Sequence, residues 1–249
     1  MKRSQADGAL RVDLQGAVAT LTLDRAETRN AMTRAMWAAL PPLLEALDEA
    51  PEIKAVLLTG ANGAFCSGAD VTEFPEAFAD ASAARSYNDL VEAGRAALTA
   101  LQKPTIAVVP GLAVGAGCGL AIACDLRFAA EGARFAMPPA RLGAAYPFPG
   151  VRQLVGLIGP ARAKDMLYSG RLVGAEEALG IGLVDRVCPA DGLMDTALGY
   201  AEGVVSLSSN AHRITKHMVQ AIEDGTDTET ADMRALFDAS FSSEDFLEG

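Results

Sequence analysis

Short apolar runs alternate with segments of helical spacing in the first half of the chain. Three runs have the pattern of strands, and they lie at residues 17–23, 55–59 and 105–109. Between the first two runs, apolar side chains recur at the spacing of one helix face, at Met36, Leu40, Leu43, Leu44 and Leu47. Pro41 and Pro42 fall inside this segment, so we expect the helix to be kinked or restarted there.

The second half of the chain has two further short strand patterns, at residues 125–128 and 134–136, and is mostly helical from Gly159 onward. Residues 156–164 indicate a loop that enters a helix, with Pro160 in its first turn. Residues 74–86 carry little apolar periodicity, and we interpret them as a mobile lid. Strands separated by helices favour an α/β core with right-handed crossovers, followed by a helical C-terminal region.

Two glycine-flanked turns, at residues 65–70 and 111–119, follow the second and third apolar runs. The second turn leads into a predicted helix at residues 120–124. Turns of this kind leave backbone N–H groups free to donate, and a helix N-terminus favours negative charge. Two such turns could hold one carbonyl oxygen as it becomes an oxyanion.

Composition narrows the possible partners. The chain has 249 residues, half of them apolar, and a net charge of −11, which argues against a nucleic-acid partner. No apolar run reaches the roughly 20 residues that a membrane helix needs, and no signal peptide is expected. The four cysteines lack the spacing of a zinc site, so we expect no metal, and their small number indicates a reducing, cytoplasmic location.

Ordered motifs along most of the chain resemble the crotonase, or enoyl-CoA hydratase/isomerase, superfamily. These motifs lie at residues 24–32, 64–71, 115–118, 123–127, 159–163 and 178–185. The resemblance implies an α/β, crotonase (ClpP-like) spiral of ββα units in residues 1–195. It also implies a helical trimerisation region in residues 196–249, and hence a homotrimer or a dimer of trimers. The expected substrates are acyl-CoA thioesters, with coenzyme A as part of the substrate and no separate cofactor.

The resemblance also implies the residues of the site. The two backbone donors to the thioester oxygen fall at Ala69 and Ala116. The residues expected to bind substrate are Arg29, Ala31, Ser67, Gly68, Asp70, Val71, Gly115, Pro138, Pro139 and Leu142. Arg29 is either a contact to a coenzyme A phosphate or a plain surface arginine. The position of Asp70 just before Thr72 also predicts that its side chain caps a helix.

The chain departs from the family pattern at the two glutamates of hydratases. Gly119 and Pro139 stand at those positions, and neither can transfer a proton. The loop at residues 142–150 resembles that of methylmalonyl-CoA decarboxylases, which carry a tyrosine where Tyr146 stands. Those decarboxylases have a histidine at the first donor position, which is Ala69 here. We therefore predict decarboxylation of a malonyl-type thioester, with Tyr146 either orienting the carboxylate or packing as a loop aromatic.

Two alternatives remain open. One is hydration or isomerisation with Glu73 or Glu76 as substitute carboxylates, and the other is a non-catalytic scaffold that binds acyl-CoA. Cys66 and Cys118, inside the glycine turns, are interpreted as small buried thiols. Residues 241–249 resemble the segment that precedes the last helix of the family, so we expect that helix to be lacking.

Overall fold

The structure is a computed structural model that describes residues 3–248, except for the side chains of residues 3, 4, 244 and 248. Its larger sheet has seven strands, which in spatial order are β1 (Arg3–Gln5), β2 (Leu10–Gln15), β3 (Val18–Leu23), β4 (Ala55–Gly60), β5 (Thr105–Val109), β7 (Leu126–Ala130) and β10 (Arg186–Cys188). The first three strands pair antiparallel, and the pairings from β3 to β10 are parallel. A smaller sheet contains β6 (Leu112–Val114), β8 (Arg134–Ala136) and β9 (Val173–Gly174).

Helices connect the strands and form the C-terminal part. The helices are α1 (Arg34–Glu49), α2 (Phe74–Ala77), α3 (Ala81–Ala100), α4 (Ala116–Ala123), α5 (Phe148–Ser169), α6 (Ala175–Gly180), α7 (Leu193–Val205), α8 (Ser209–Glu223), α9 (Ala231–Ser240) and α10 (Glu244–Glu248). None of the helices in the described range is long and apolar enough to cross a membrane.

The parallel strands are apolar on both faces because both faces are covered. In β4, Val56 and Leu58 belong to the main core, whereas Ala55 and Leu57 belong to a second core on the opposite face. The main core also contains residues of α1 and α4, and the second core contains Leu193 and other residues of α7. This arrangement explains the continuous apolar runs in the sequence, since a strand buried on both sides shows no polar alternation. The predicted strands at residues 17–23, 55–59 and 105–109 are confirmed.

The predicted break in α1 is wrong, and the loop predicted at residues 156–164 is largely wrong, although Pro160 does lie in the first turn of a helix, as predicted. Helix α1 runs unbroken through Pro41 and Pro42, because its buried face packs against α3 while Pro42 faces solvent. Residues 148–158, in part interpreted as a loop, are already helical. The break in α5 is Gly159 itself, whose φ of 77° and ψ of 162° are not helical, and Pro160 starts the next turn. Glycine alone adopts that conformation without strain.

The predicted lid forms two helices. Phe74 starts α2, and α3 begins after Asp80, whose side chain accepts the backbone N–H groups of Ser82 and Ala83. The rings of Phe74 and Phe78 meet edge to face, 5.1 Å apart. The segment therefore has regular structure of its own, and its mobility stays a prediction.

The helices after α7 are tied to the sheet by Asp125. Its Oδ2 accepts the backbone N–H of Thr105 at 2.7 Å and the ammonium group of Lys216, on α8, at 2.8 Å. Asp125 thus has a structural role at the junction of α4 and β7. The predicted boundary between residues 195 and 196 falls within α7, which packs on the sheet. The division into two regions stays a prediction.

Replacing Pro42 by alanine should stabilise the protein by about 1 kcal/mol. Proline lacks the N–H of a helix interior, and alanine restores both this donor and a better helix propensity. The free energy of unfolding in urea is the measurement. Pro51→Ala, at an exposed site just after α1, is the control and should not stabilise the protein. Equal effects of the two changes would contradict this account of α1.

Candidate active site

The first glycine turn lies between β6 and the segment before α1. On one side, the N–H of Cys66 donates to the carbonyl of Leu112 at 2.9 Å, and the N–H of Val114 donates to the carbonyl of Cys66 at 3.0 Å. These hydrogen bonds extend the smaller sheet with one more backbone segment. The first turn is thereby fixed directly beside the strand that leads into the second turn.

The other side of the turn pairs with Met32. The N–H of Met32 donates to the carbonyl of Gly68 at 2.8 Å, and the N–H of Asp70 donates to the carbonyl of Met32 at 2.9 Å. The carbonyl of Gly68 and the N–H of Asp70 thus both point to Met32. Since backbone groups alternate in direction along an extended segment, the N–H of Ala69 points the opposite way, toward β6 and α4. Among the described residues, no acceptor takes this N–H.

The second turn presents an unused N–H at the start of α4. Gly115, with a φ of 54°, precedes the helix, and its own N–H donates to the carbonyl of Ala136 at 2.8 Å. Ala116 is the first helical residue, and its N–H has no acceptor within residues 3–248. The first N–H groups of a helix lack partners inside it, so this donor is available to a ligand.

The two turns touch through backbone atoms. A Cβ built on Gly68 would lie 3.9 Å from the nitrogen of Ala116, and one built on Gly117 would overlap the carbonyl oxygen of Cys66. The structure therefore brings together Gly68, Ala69, Gly115 and Ala116. Two unused N–H groups beside a helix N-terminus can stabilise an oxygen that becomes negatively charged.

Tyr146 packs beside the second turn. Its hydroxyl donates to the carbonyl of Gly115 at 3.3 Å. A Cβ on Gly119 would overlap this hydroxyl, and a Cβ on Gly150 would overlap the ring. Burial raises the pKa of Tyr146 well above its usual value, while the charge of Arg95 opposes this rise. The hydroxyl is therefore protonated at neutral pH and remains a hydrogen-bond donor.

Arg95 is a residue of this region that the sequence analysis missed. It is 3% exposed, and its Nη1 donates to Glu92 at 3.0 Å while its Nη2 donates to Gln153. Its Nε would lie 3.3 Å from a Cβ on Gly119. The available signal was an arginine on the apolar face of α3, three residues before the buried Leu98. Buried arginines are rare enough to mark a site for attention.

The side chains of Ser67 and Asp70 also hold the first turn in place. The hydroxyl of Ser67 donates to the carbonyl of Thr28 at 2.8 Å. Asp70 pairs with Arg25 at 2.9 Å and caps Thr72, which confirms the capping prediction. The hydrogen bond from the Thr72 hydroxyl, with the Arg25 pair, lowers the pKa of Asp70. The pair thus contributes stability above about pH 4, and this contribution is lost on acidification through the folded-state pKa.

The remaining predicted substrate contacts are more scattered. Arg29 is exposed at a left-handed backbone position, and Ala31 is buried. Val71 and Leu142 are exposed to 63% and 68%. Pro138 and Pro139 are partly buried at the start of a 3₁₀ turn, where their carbonyls accept the N–H groups of Arg141 and Ala144. Their contacts to substrate stay predictions.

The two proposed substitute carboxylates differ in their surroundings. Glu73 Oε2 accepts the backbone N–H of Arg34 at 2.8 Å, at the start of α1, whereas Glu76 is exposed on α2. Glu73 is thus engaged in a structural contact. Across the described part of the chain, no group of three or more His, Cys, Asp or Glu side chains is arranged to hold a metal ion.

The fold and the two turns define an α/β protein with a candidate oxyanion site, and its relatives identify the family. The family model for enoyl-CoA hydratase/isomerase matches residues 13–249, so the chain belongs to that family. The chain is 36% identical to the probable enoyl-CoA hydratase echA8 of Mycobacterium bovis, over 96% of this chain and 91% of that protein. It is 33% identical to the short-chain-enoyl-CoA hydratase of Clostridium acetobutylicum, over 94% and 90% of the two chains.

Solved structures agree with this assignment. A putative enoyl-CoA hydratase/isomerase family protein from Hyphomonas neptunium superimposes with a TM-score of 0.94 at 36% identity, and covers 97% of this chain and 92% of its own. An enoyl-CoA hydratase/carnithine racemase from Magnetospirillum magneticum gives a TM-score of 0.94 at 28% identity, with 98% and 92% covered. The predicted superfamily and the α/β crotonase fold are confirmed.

Gly117→Ala should destabilise the protein by about 2 kcal/mol, because the added methyl group meets backbone atoms of Cys66 that cannot move away. Chemical denaturation measures the change. Gly156→Ala is the matched control: it also lies in a helix, nothing lies within 4 Å of its new methyl group, and it should be neutral or slightly stabilising. A neutral Gly117→Ala would show that the two turns are not in tight contact.

Iodoacetamide at pH 8 should modify Cys188 in the folded protein but spare Cys66, Cys118 and Cys124. Burial raises the pKa of each of these three thiols to about 12, and Cys188 is partly exposed. Mass spectrometry of the peptides measures the outcome, and all four thiols should react after unfolding. Rapid alkylation of Cys66 or Cys118 in the folded protein would instead support a nucleophile in the glycine turns.

Proposed function

We propose that the protein acts on acyl-CoA thioesters by stabilising an enolate between the backbone N–H groups of Ala69 and Ala116. The observation that carries this proposal is the contact of the two turns, each with an unused N–H, at the start of α4. Membership of the enoyl-CoA hydratase/isomerase family supports the choice of an acyl-CoA substrate. Each donor contributes about 3 kcal/mol of transition-state stabilisation in sites of this type.

The reaction that we propose is decarboxylation of a malonyl-type thioester. The bond between the carboxylate and the α-carbon breaks, CO₂ leaves, and the electron pair of that bond passes to the thioester oxygen. A proton from water then completes the acyl product. This sequence needs no base to remove a carbon-bound proton, which suits Gly119 and Pro139 at the positions of the family's glutamates. The Tyr146 hydroxyl orients the carboxylate, as its protonated state allows.

Hydration is the second candidate, and the names of the relatives favour it. It needs a carboxylate at the reacting carbons. Glu73 holds the start of α1, and Glu76 is exposed, so either residue would have to move. Glu92 is the carboxylate that adjoins Arg95 and Tyr146. The third candidate is a scaffold that binds acyl-CoA without catalysis. Like the first candidate, it is supported by the absence of the family's two glutamates.

We further propose a homotrimer or a dimer of trimers in the cytoplasm. Large apolar side chains exposed on the last helices support assembly, among them Val219, Ile222 and Phe237. The four cysteines are free thiols, which suits a reducing compartment. The net charge of −11 supports a small-molecule substrate over a nucleic-acid partner.

The purified protein should release CO₂ from malonyl-CoA or methylmalonyl-CoA, and Tyr146→Phe should lower kcat/KM about 10-fold, because it removes a hydrogen-bond donor to the substrate carboxylate. Tyr168→Phe is the control, since Tyr168 is 74% exposed, and it should leave the rate unchanged. Coupled detection of CO₂ and chromatography of the CoA products are the measurements.

Two results would contradict decarboxylation. Hydration of crotonyl-CoA at ordinary enzyme rates, about 10 s⁻¹, with malonyl thioesters left intact would establish the second candidate. Binding of acyl-CoA without turnover across short, branched and carboxylated acyl groups would establish the scaffold.

A further inference from the structure

In the described part of the chain two arginines are almost fully buried, and they differ in how their donors are used. Both Arg95 and Arg127 are 3% exposed. Arg127 donates from Nε to the carbonyl of Leu183, from Nη1 to Cys124 and from Nη2 to Asp185. Arg95 donates only from its two Nη atoms, and its Nε has no partner.

The free Nε of Arg95 is an exception that needs a reason. Buried side-chain N and O atoms in native proteins nearly always have a partner, and the cost of leaving one unpaired is larger for a charged group. Among the described residues, the other two such atoms are Trp37 Nε1 and Tyr87 Oη, which carry no charge. Among the described side chains, the buried charged donor without an acceptor is therefore on Arg95, beside the candidate active site.

Arg95 and Tyr146 both lie beside Gly119. The hydroxyl of Tyr146 occupies the space that a Cβ of residue 119 would need, and the Nε of Arg95 would lie 3.3 Å from that Cβ. Gly119 lies three residues after Ala116, so it shares a face of α4 with the proposed oxyanion donor. In a malonyl thioester, the thioester oxygen and the carboxylate are likewise close together, so one could lie at Ala116 and the other near Gly119.

Among the described residues, the Tyr146 hydroxyl has one hydrogen bond, of 3.3 Å to the carbonyl of Gly115, and the loop at residues 140–145 is exposed. An anion that draws this hydroxyl away from the carbonyl comes under the charge of Arg95, which acts on Tyr146 and whose Nε lies beside Gly119. Glu92 partly offsets that charge from the far end of the guanidinium, and its own side chain is 30% exposed.

We propose that Arg95 is a specificity-determining residue, which together with Tyr146 forms a subsite for a carboxylate on the acyl group of the substrate. The inference rests on the proposed acyl-CoA site and deepens it by adding Arg95 as a residue that selects an anionic acyl group. Because the attraction acts on the bound carboxylate and fades as CO₂ leaves, it lowers KM without raising kcat.

The test measures binding of a probe that cannot react. Sulfoacetyl-CoA keeps a negative group in place of the malonyl carboxylate but cannot lose CO₂, and acetyl-CoA is its uncharged counterpart. Calorimetry with the full-length protein gives the affinity for each. Arg95→Gln should weaken sulfoacetyl-CoA binding about 30-fold and leave acetyl-CoA within about twofold, as expected for loss of a charged hydrogen-bond donor. Arg95→Lys, which keeps the charge, should recover part of the loss.

Glu92→Gln should change the affinity for sulfoacetyl-CoA in the opposite direction. This test does not depend on whether an Arg95 variant folds. Removing the offsetting carboxylate should tighten sulfoacetyl-CoA binding about threefold or more, again without affecting acetyl-CoA. If Arg95 were only structural, both probes would weaken together in Arg95→Gln, and Glu92→Gln would change neither. Either result would overturn the inference.

The outcomes also separate the inference from the proposed reaction. Absence of CO₂ release together with the predicted shifts in probe affinity would retain the anion subsite and reject decarboxylation. Conversely, CO₂ release by a protein whose probe affinities do not depend on residues 92 and 95 would retain the reaction and reject the role of Arg95.

Discussion

The backbone contact between Gly117 and Cys66 is the constraint on which the candidate site depends. A side chain at position 117 would overlap the carbonyl of Cys66, so the second turn reaches the first only because it has glycine there. At this contact, the N–H groups of Ala69 and Ala116 have no acceptor among the described residues. The N–H of Ala69 faces α4, and that of Ala116 lies at the start of α4. The donors are fixed by main-chain hydrogen bonds to Met32, Leu112 and Ala136, and a site held in this way needs little reorganisation when charge develops.

Two further glycines, Gly119 and Gly150, shape the chemistry beside these donors because they lack side chains. The lack of a Cβ at Gly119 and Gly150 makes the room in which the ring and hydroxyl of Tyr146 lie. A glutamate at position 119 would need the same space, so the tyrosine and the hydratase carboxylate exclude each other there. Arg95, whose side chain lies beside the same two glycines, puts a positive charge, partly offset by Glu92, in the region where the family pattern has a carboxylate. This change of charge supports a substrate that brings its own carboxylate.

Family membership and this local chemistry favour different reactions. Relatives that match more than 90% of the chain are named as hydratases, and solved structures from the family share its fold. The family resemblance rests largely on backbone features, namely the glycine turns and the strands before them, and these features do not specify which reaction the site carries out. The identity of the acid and base groups is a separate matter, decided by a few side chains around Gly119.

The sequence by itself determined the buried strands, the two turns and the family. Apolar runs such as residues 55–59 and glycines at fixed spacing are local patterns, so they can be interpreted without knowledge of distant contacts. It did not reveal that α1 continues through Pro41 and Pro42, because packing against α3 stabilises that helix. Nor did it reveal the partnership of Arg95 with Tyr146, which lie 51 positions apart on α3 and a loop. Only the tertiary structure decided that pairing, since burial and an unpaired charge arise when distant segments pack together.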